Sequence, residues 1–136
     1  MQGLTLVCGA GGFIGGHLVR QLLADGCTVR AVDHKPPEQW YQRFPEVENI
    51  SADLSSLPEC RRATQGAATI YNLAADMGGM GYIESHKTAC MLNVLINTHL
   101  LMAAQESGTG RYFFASSACV YAADKQLTAI RVRESY

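Results

Sequence analysis

Gly9, Gly12 and Gly15 stand at G-x-x-G-x-x-G spacing, between the apolar run Leu4-Thr5-Leu6-Val7-Cys8 and a segment of helical period. Each glycine answers a separate need. Gly9 lets the chain leave a strand sharply, Gly12 lets backbone approach a phosphate, and Gly15 lets the helix pack close to the strand. Phe13 and Ile14 open that helix, whose first N–H groups have no intrahelical acceptor and whose dipole favours an anion. Strand, glycine turn and helix together make a dinucleotide-binding pattern, with a plain tight turn as the alternative. A carboxylate strengthens it. Asp33 closes the next apolar stretch, Cys27 to Asp33, about twenty residues beyond the glycines. There it can accept from both hydroxyls of an adenosine ribose and repel a 2′-phosphate, which favours NAD over NADP. His34 and Lys35 beside it pull the other way.

These residues need a sheet to hold them, and the rest of the chain supplies one. From Phe13, the residues Ile14, Leu18 and Leu22, with Val19 and Leu23, read as one buried helical stripe that stops at Asp25-Gly26. Pro36-Pro37 end regular structure, and the segment to Pro45, with Trp40, Tyr41 and Phe44, reads as an irregular connection or a short helix. Val47 to Ser51 is a third strand. Asp53 after it either accepts from the adenine amine or caps a helix beginning near Ser55 or Ser56. Ala67 to Ala75 is nearly unbroken apolar sequence, as in a strand buried on both faces. The loop Asp76 to Gly81 carries Gly78, Gly79 and Gly81, backbone suited to a close ligand or to mobility.

A long helix is expected over residues 85–107, ended by Gly108. It is apolar on more than one face, so the second face should meet another helix, in this chain or in a partner subunit. Asn93 and Asn97 within it must be hydrogen-bonded if buried. Arg111 to Ser116 is the fifth strand, and Ala122 to Tyr136 reads as surface loop. The expected fold is therefore α/β: a Rossmann-like doubly wound parallel sheet of about five strands in the order 3-2-1-4-5. Residues 1–136 are expected to be one such domain, incomplete and truncated before the later strands.

Composition narrows the function. The 136 residues are 48% hydrophobic and 17% charged, with a net charge of −1, which gives no case for nucleic acid or an anionic membrane. No apolar run is long enough to span a bilayer. Cys8, Cys27, Cys60, Cys90 and Cys119 are scattered and odd in number, and the four histidines show no ligand spacing with them. A disulfide framework and a metal site are both disfavoured. Reduced thiols and the lack of a leader pattern point to the cytoplasm.

With these segments in place, the chain resembles the extended short-chain dehydrogenase/reductases, the family of nucleotide-sugar epimerases and dehydratases. The resemblance is carried by Gly9-x-x-Gly12-x-x-Gly15, Asp33, Asp53-Leu54, Asn72-Leu73-Ala74-Ala75 and Ser116-Ser117-Ala118. Ala74-Ala75-Asp76-Met77-Gly78-Gly79-Met80-Gly81 and Ala115-Ser116-Ser117-Ala118-Cys119-Val120-Tyr121, with Lys125-Gln126-Leu127, resemble more narrowly the members that epimerise GDP-sugars. The resemblance implies that Asp53, Leu54, Leu73, Ala74 and Ala75 join the cofactor site. Gly78, Ser117, Ala118 and Cys119 would meet the nucleotide sugar.

It implies a reaction too: transient oxidation at C4 of the sugar, which acidifies the protons on C3 and C5. Cys119 matches the general base, a role open to a thiol because a cationic neighbour can lower its pKa. Ser117 matches the serine that hydrogen-bonds the reacting hydroxyl. Without the resemblance both are small polar residues at a strand end. The family also uses a tyrosine and a lysine four apart on the following helix, and a later lysine as opposing acid. The chain is expected to lack these, together with the remaining strands and the sugar-nucleotide domain. It would then bind NAD weakly and not turn over alone, and pair as a homodimer through the 85–107 helix. Two other readings are a non-catalytic dinucleotide-binding module or sensor, and another nucleotide-sugar epimerase or dehydratase.

Overall fold

The computed structural model describes residues 3–76 and 80–116. Gly78, Ser117, Ala118 and Cys119 lie outside the described residues. Among the described residues five strands form: β1 (Leu4–Cys8), β2 (Val29–Asp33), β3 (Glu48–Ser51), β4 (Ala67–Asn72) and β5 (Arg111–Phe114). Every neighbouring pair is parallel, in the order β3-β2-β1-β4-β5. Parallel neighbours require crossovers. These are α1 (Phe13–Ala24), a 3-10 turn at Pro37–Gln39, α2 (Leu57–Thr64), and α3 (Met80–Ser85) followed by α4 (Lys87–Glu106). The architecture is the Rossmann-like sheet that the sequence led one to expect.

Side chains alternate across each strand, so the core has two layers. Leu6, Cys8, Val32 and Ile70 pack toward Leu54, Cys60 and Ala63 beside α2 and toward Leu100, Ala103 and Ala104 of α4. Val7, Val29 and Ala31 pack on the other face with Val19 of α1, Trp40 and Val47.

Several local readings are corrected. The buried stripe of α1 is Gly15, Gly16 and Val19, flanked by the half-buried Leu18, Leu22 and Leu23, and Ile14 is exposed. At 100° per residue, Ile14 lies about 140° around the helix from Val19 and cannot share its face. β2 starts at Val29 rather than Cys27 because Cys27 finishes α1. Its N–H donates to the Leu22 carbonyl (2.9 Å) while Gly26, at φ +75°, donates to Leu23 (3.0 Å). The long helix breaks at His86, which leaves helical geometry (φ −123°, ψ 40°) and divides α3 from α4. Finally, β4 ends at Asn72, and neither of its faces is fully covered. Ala68, skipped where the β1–β4 register shifts, is exposed, and Tyr71 is only half-buried because α1 packs chiefly on β1 and β2.

Candidate dinucleotide site

The C-terminal ends of β1, β2 and β4 converge on the glycine turn. Gly9 adopts φ +79°, which an L side chain rarely takes. Its N–H and that of Ala10 both donate to the Val32 carbonyl (2.8 and 3.1 Å), tying the turn to β2. The Leu73 N–H donates to the Cys8 carbonyl (3.0 Å), which brings the Leu73-Ala74 backbone against Gly9. A Cβ at Gly9 would stand 2.7 Å from the Leu73 carbonyl. At Gly15 a Cβ would run into the Gly9 carbonyl oxygen, so the first turn of α1 sits directly on the loop. Around Gly12 there is more room, with nothing closer to such an atom than the Gly9 oxygen at 3.4 Å.

Gly12 is also the N-cap of α1, extended at φ −82° and ψ 174°. It offers no side chain to the helix end, so the N–H groups of Phe13, Ile14 and Gly15 are left to an external acceptor. Asp33 lies beside this helix end. Its Oδ2 accepts from the Gly11 N–H at 3.0 Å and its Oδ1 from the Lys35 N–H at 3.0 Å. The His34 imidazole Nδ1 stands 3.3 Å from Oδ1. The carboxylate is 7% exposed, and each of its oxygens can accept about two hydrogen bonds, which leaves capacity for a further partner.

Asp53 is not the N-cap, a place taken by Ser56. It makes a turn just before α2, its Oδ1 accepting from the Ser55 N–H (2.9 Å) and hydroxyl (2.7 Å). Those bonds hold its carboxyl below the ordinary carboxylate range. Leu54 is buried in the core, and its carbonyl accepts from the Cys60 thiol (3.1 Å). Burial pushes that thiol up to about 11, far from thiolate chemistry. Ala74 is half-buried, with its N–H on Asn72 Oδ1 (3.1 Å), and Ala75 is exposed.

Beneath this edge runs a polar network. Asn72 Nδ2 donates to Asn97 Oδ1 (3.1 Å) and to the Tyr112 hydroxyl oxygen (3.2 Å), while the Tyr112 hydroxyl donates to Asn97 Oδ1 (2.8 Å). The polar break in the long helix thus fixes β4, β5 and α4 together. Asn93 does the same for the loop after β4, pairing with both the N–H (2.7 Å) and the carbonyl (3.0 Å) of Asp76. Among the described residues, no group of three His, Cys, Asp or Glu could hold a metal ion.

Two residues of the site escape a reading of the sequence, Gly11 and Trp40. A Cβ at Gly11 would stand 2.8 Å from Trp40 Cδ1 and 2.9 Å from Asp33 Cγ. The Gly11-Gly12 doublet is the only available signal, and Gly11 sits at an unspecified position of the spacing. Another expectation is corrected by the sequence itself: Tyr121 and Lys125 do stand four apart. The pair begins two residues after Cys119 and lies outside the described residues.

The cradle of three intolerant glycines, an uncapped helix end and a carboxylate fits a dinucleotide, and known proteins agree. Residues 5–135 match the NAD dependent epimerase/dehydratase family. The chain is 41% identical over 131 residues to GDP-mannose 3,5-epimerase 1 of Oryza sativa subsp. japonica, covering 95% of this chain and 35% of that one. It therefore spans about a third of the length of the curated relatives it matches. Among solved structures, MoeE5 in complex with UDP-glucose and NAD superposes with a TM-score of 0.74 and 34% identity, over 87% of this chain and 38% of that one. The UDP-glucose 4-epimerase of Thermus thermophilus, in complex with NAD, gives 0.73 and 26%, over 84% and 37%.

Proposed function

Because this chain belongs to the NAD-dependent epimerase/dehydratase family, we propose that it is the NAD-binding portion of a nucleotide-sugar epimerase of the GDP-mannose 3,5-epimerase type. The observation that carries the reading is the Asp33 carboxylate, held 3.0 Å from the Gly11 N–H beside an uncapped helix end. In this reading the N–H groups of Phe13, Ile14 and Gly15 hold the pyrophosphate, and Gly9 and Gly12 keep side chains out of its way. Asp33 holds the adenosine ribose. Asp53 and Leu54 flank the adenine, while the Leu73-Ala74-Ala75 backbone borders the far side of the loop. Bound NAD supplies the reversible hydride acceptance at C4 of the sugar.

Gly78, Ser117, Ala118 and Cys119 are proposed for the sugar side, with Ser117 bonding the reacting hydroxyl and Cys119 acting as base. The similarity to the rice enzyme, which this chain matches over 95% of its length, supports GDP-mannose as the substrate class. The 136 residues alone are proposed to be catalytically silent, since they cover only about a third of that relative. The apolar outer face of α4 is proposed to pair with its copy in a homodimer. The setting is proposed to be the cytoplasm.

Calorimetric titration with NAD and NADP tests the reading. NAD should bind at least about tenfold more tightly than NADP, a difference of about 1.4 kcal/mol. Absence of binding, or preference for NADP, would overturn it, as would epimerase turnover by the isolated polypeptide for the claim of silence.

A further inference from the structure

The segment after β2 is folded back over the glycine turn, and nothing in the fingerprint requires this. From Pro36 to Gln42 the chain crosses behind Gly11 and Gly16. The Tyr41 N–H donates to the Gly11 carbonyl (3.0 Å), and Gln42 Cβ stands 3.2 Å from where a Gly16 Cβ would be. At the centre is Trp40, the one tryptophan of the chain, 8% exposed. Its ring and the Asp33 carboxyl both close on Gly11, since a Cβ there would touch the two of them. Its indole Nε1–H donates to the Lys35 carbonyl at 2.9 Å.

These bonds form a chain. The Lys35 carbonyl is held by Trp40, the Lys35 N–H donates to Asp33 Oδ1, and the Gly11 N–H donates to Asp33 Oδ2. The orientation of the carboxylate is therefore fixed from both sides by groups that Trp40 touches. An imidazole and a lysine follow Asp33 directly, and His34 Nδ1 stands 3.3 Å from Oδ1. A turn freed to reorient would exchange a fixed anion for nearby positive charge, which is the electrostatic difference between refusing and accepting a ribose 2′-phosphate.

We propose that Trp40 is a positioning residue for nucleotide selectivity: it holds Asp33 against Gly11, and so sets discrimination between NAD and NADP. The proposal rests on the cofactor reading above. Trp40 itself touches no cofactor in this role and acts through the 33–35 turn.

The test compares dissociation constants for NAD and NADP in the native chain, in Trp40→Phe and in Asp33→Ala. Trp40→Phe keeps a ring against Gly11 and removes the indole donor. It should reduce the NADP-to-NAD ratio of dissociation constants by about fivefold or more, where a purely structural residue would weaken both ligands alike. An unchanged ratio overturns the proposal while leaving the cofactor reading intact. Failure of the native chain to bind NAD overturns both.

A second measurement needs no variant at Trp40. The single indole N–H signal in a nitrogen-15 correlation spectrum should shift when NAD saturates the native chain. In Asp33→Ala, saturated with NAD, it should shift by less than about half as much, because the link through the turn is cut. An equal shift in both, or none in the native chain, overturns the proposal.

Discussion

Along β1 and β2 the sheet is covered on both faces, whereas along β4 and β5 neither face is fully covered. On the first side, α1 and Trp40 close one layer and α2 the other. Arg30 ties β2 to β3 and to the end of α2, its Nε on Glu48 (2.7 Å) and its Nη1 on the carbonyls of Ala63 and Gln65 (2.8 Å each). On the second side, Phe113 and Phe114 of β5 are about half exposed, and the half-buried Tyr71 meets the Phe113 ring at 5.7 Å. α4 repeats the contrast within one helix. Ile96, Leu100, Ala103 and Ala104 face the core. Met91, Leu92, Val94, Leu95, Leu101 and Met102 are exposed. At 100° per residue these outer residues share one side of the helix, broad enough to seat a neighbouring helix. The braced half holds the glycine turn and Asp33. The bare half has the composition of an interface.

Gly11→Ala should do the most to break this difference, because it wedges a methyl group between Trp40 and Asp33. We expect a loss of about 1–3 kcal/mol in stability, read by denaturant melts, with NAD binding lost altogether. Gly12→Ala, with its nearest neighbour at 3.4 Å, should cost clearly less stability. Equal effects would mean that the brace is soft.

Asn72→Ala comes next, since it strips a buried donor and acceptor from Asn97, Tyr112 and the Ala74 N–H. The cost should be about 1–3 kcal/mol, measured the same way. Charge placed on the bare half should instead leave folding nearly untouched. Val94→Glu is expected to change stability by no more than about 0.5 kcal/mol while abolishing self-association in sedimentation equilibrium. A dimer that survives it would refute the pairing of α4 faces.

The smallest effect is a pH effect. Burial pushes the Tyr112 hydroxyl up to about 12, while its bond from Asn72 pulls the other way. A raised folded value means the neutral form is favoured by folding. Its contribution is complete below the unfolded value of about 10 and is lost as pH rises through about 12. Absorbance titration should find one of the six tyrosines ionising last, coincident with unfolding.

Much of the braced half can be read in advance. The strand order follows from the doubly wound fold that the glycine fingerprint implies, whereas the glycine spacing and the acidic strand end follow from short-range rules. So does the end of α1, where Gly26 takes positive φ as a glycine after a helix often does. The exposed α4 face is legible too, because apolar residues outnumber what one stripe can bury. Less legible are the break at His86, which no proline or glycine marks, and the burial of α1, where the outward Ile14 has the look of core.

What the residues settled by themselves was local: where backbone must bend, where strands alternate, and which strand end carries a carboxylate. The partnership of Gly11, Asp33 and Trp40 was decided only by the tertiary fold. It joins positions 22 and 29 residues from Gly11, and contact between such distant groups leaves no periodic trace in sequence. The same holds for Asn72, Asn97 and Tyr112. Each is an ordinary polar residue until parallel pairing and one helix crossing bring all three within reach.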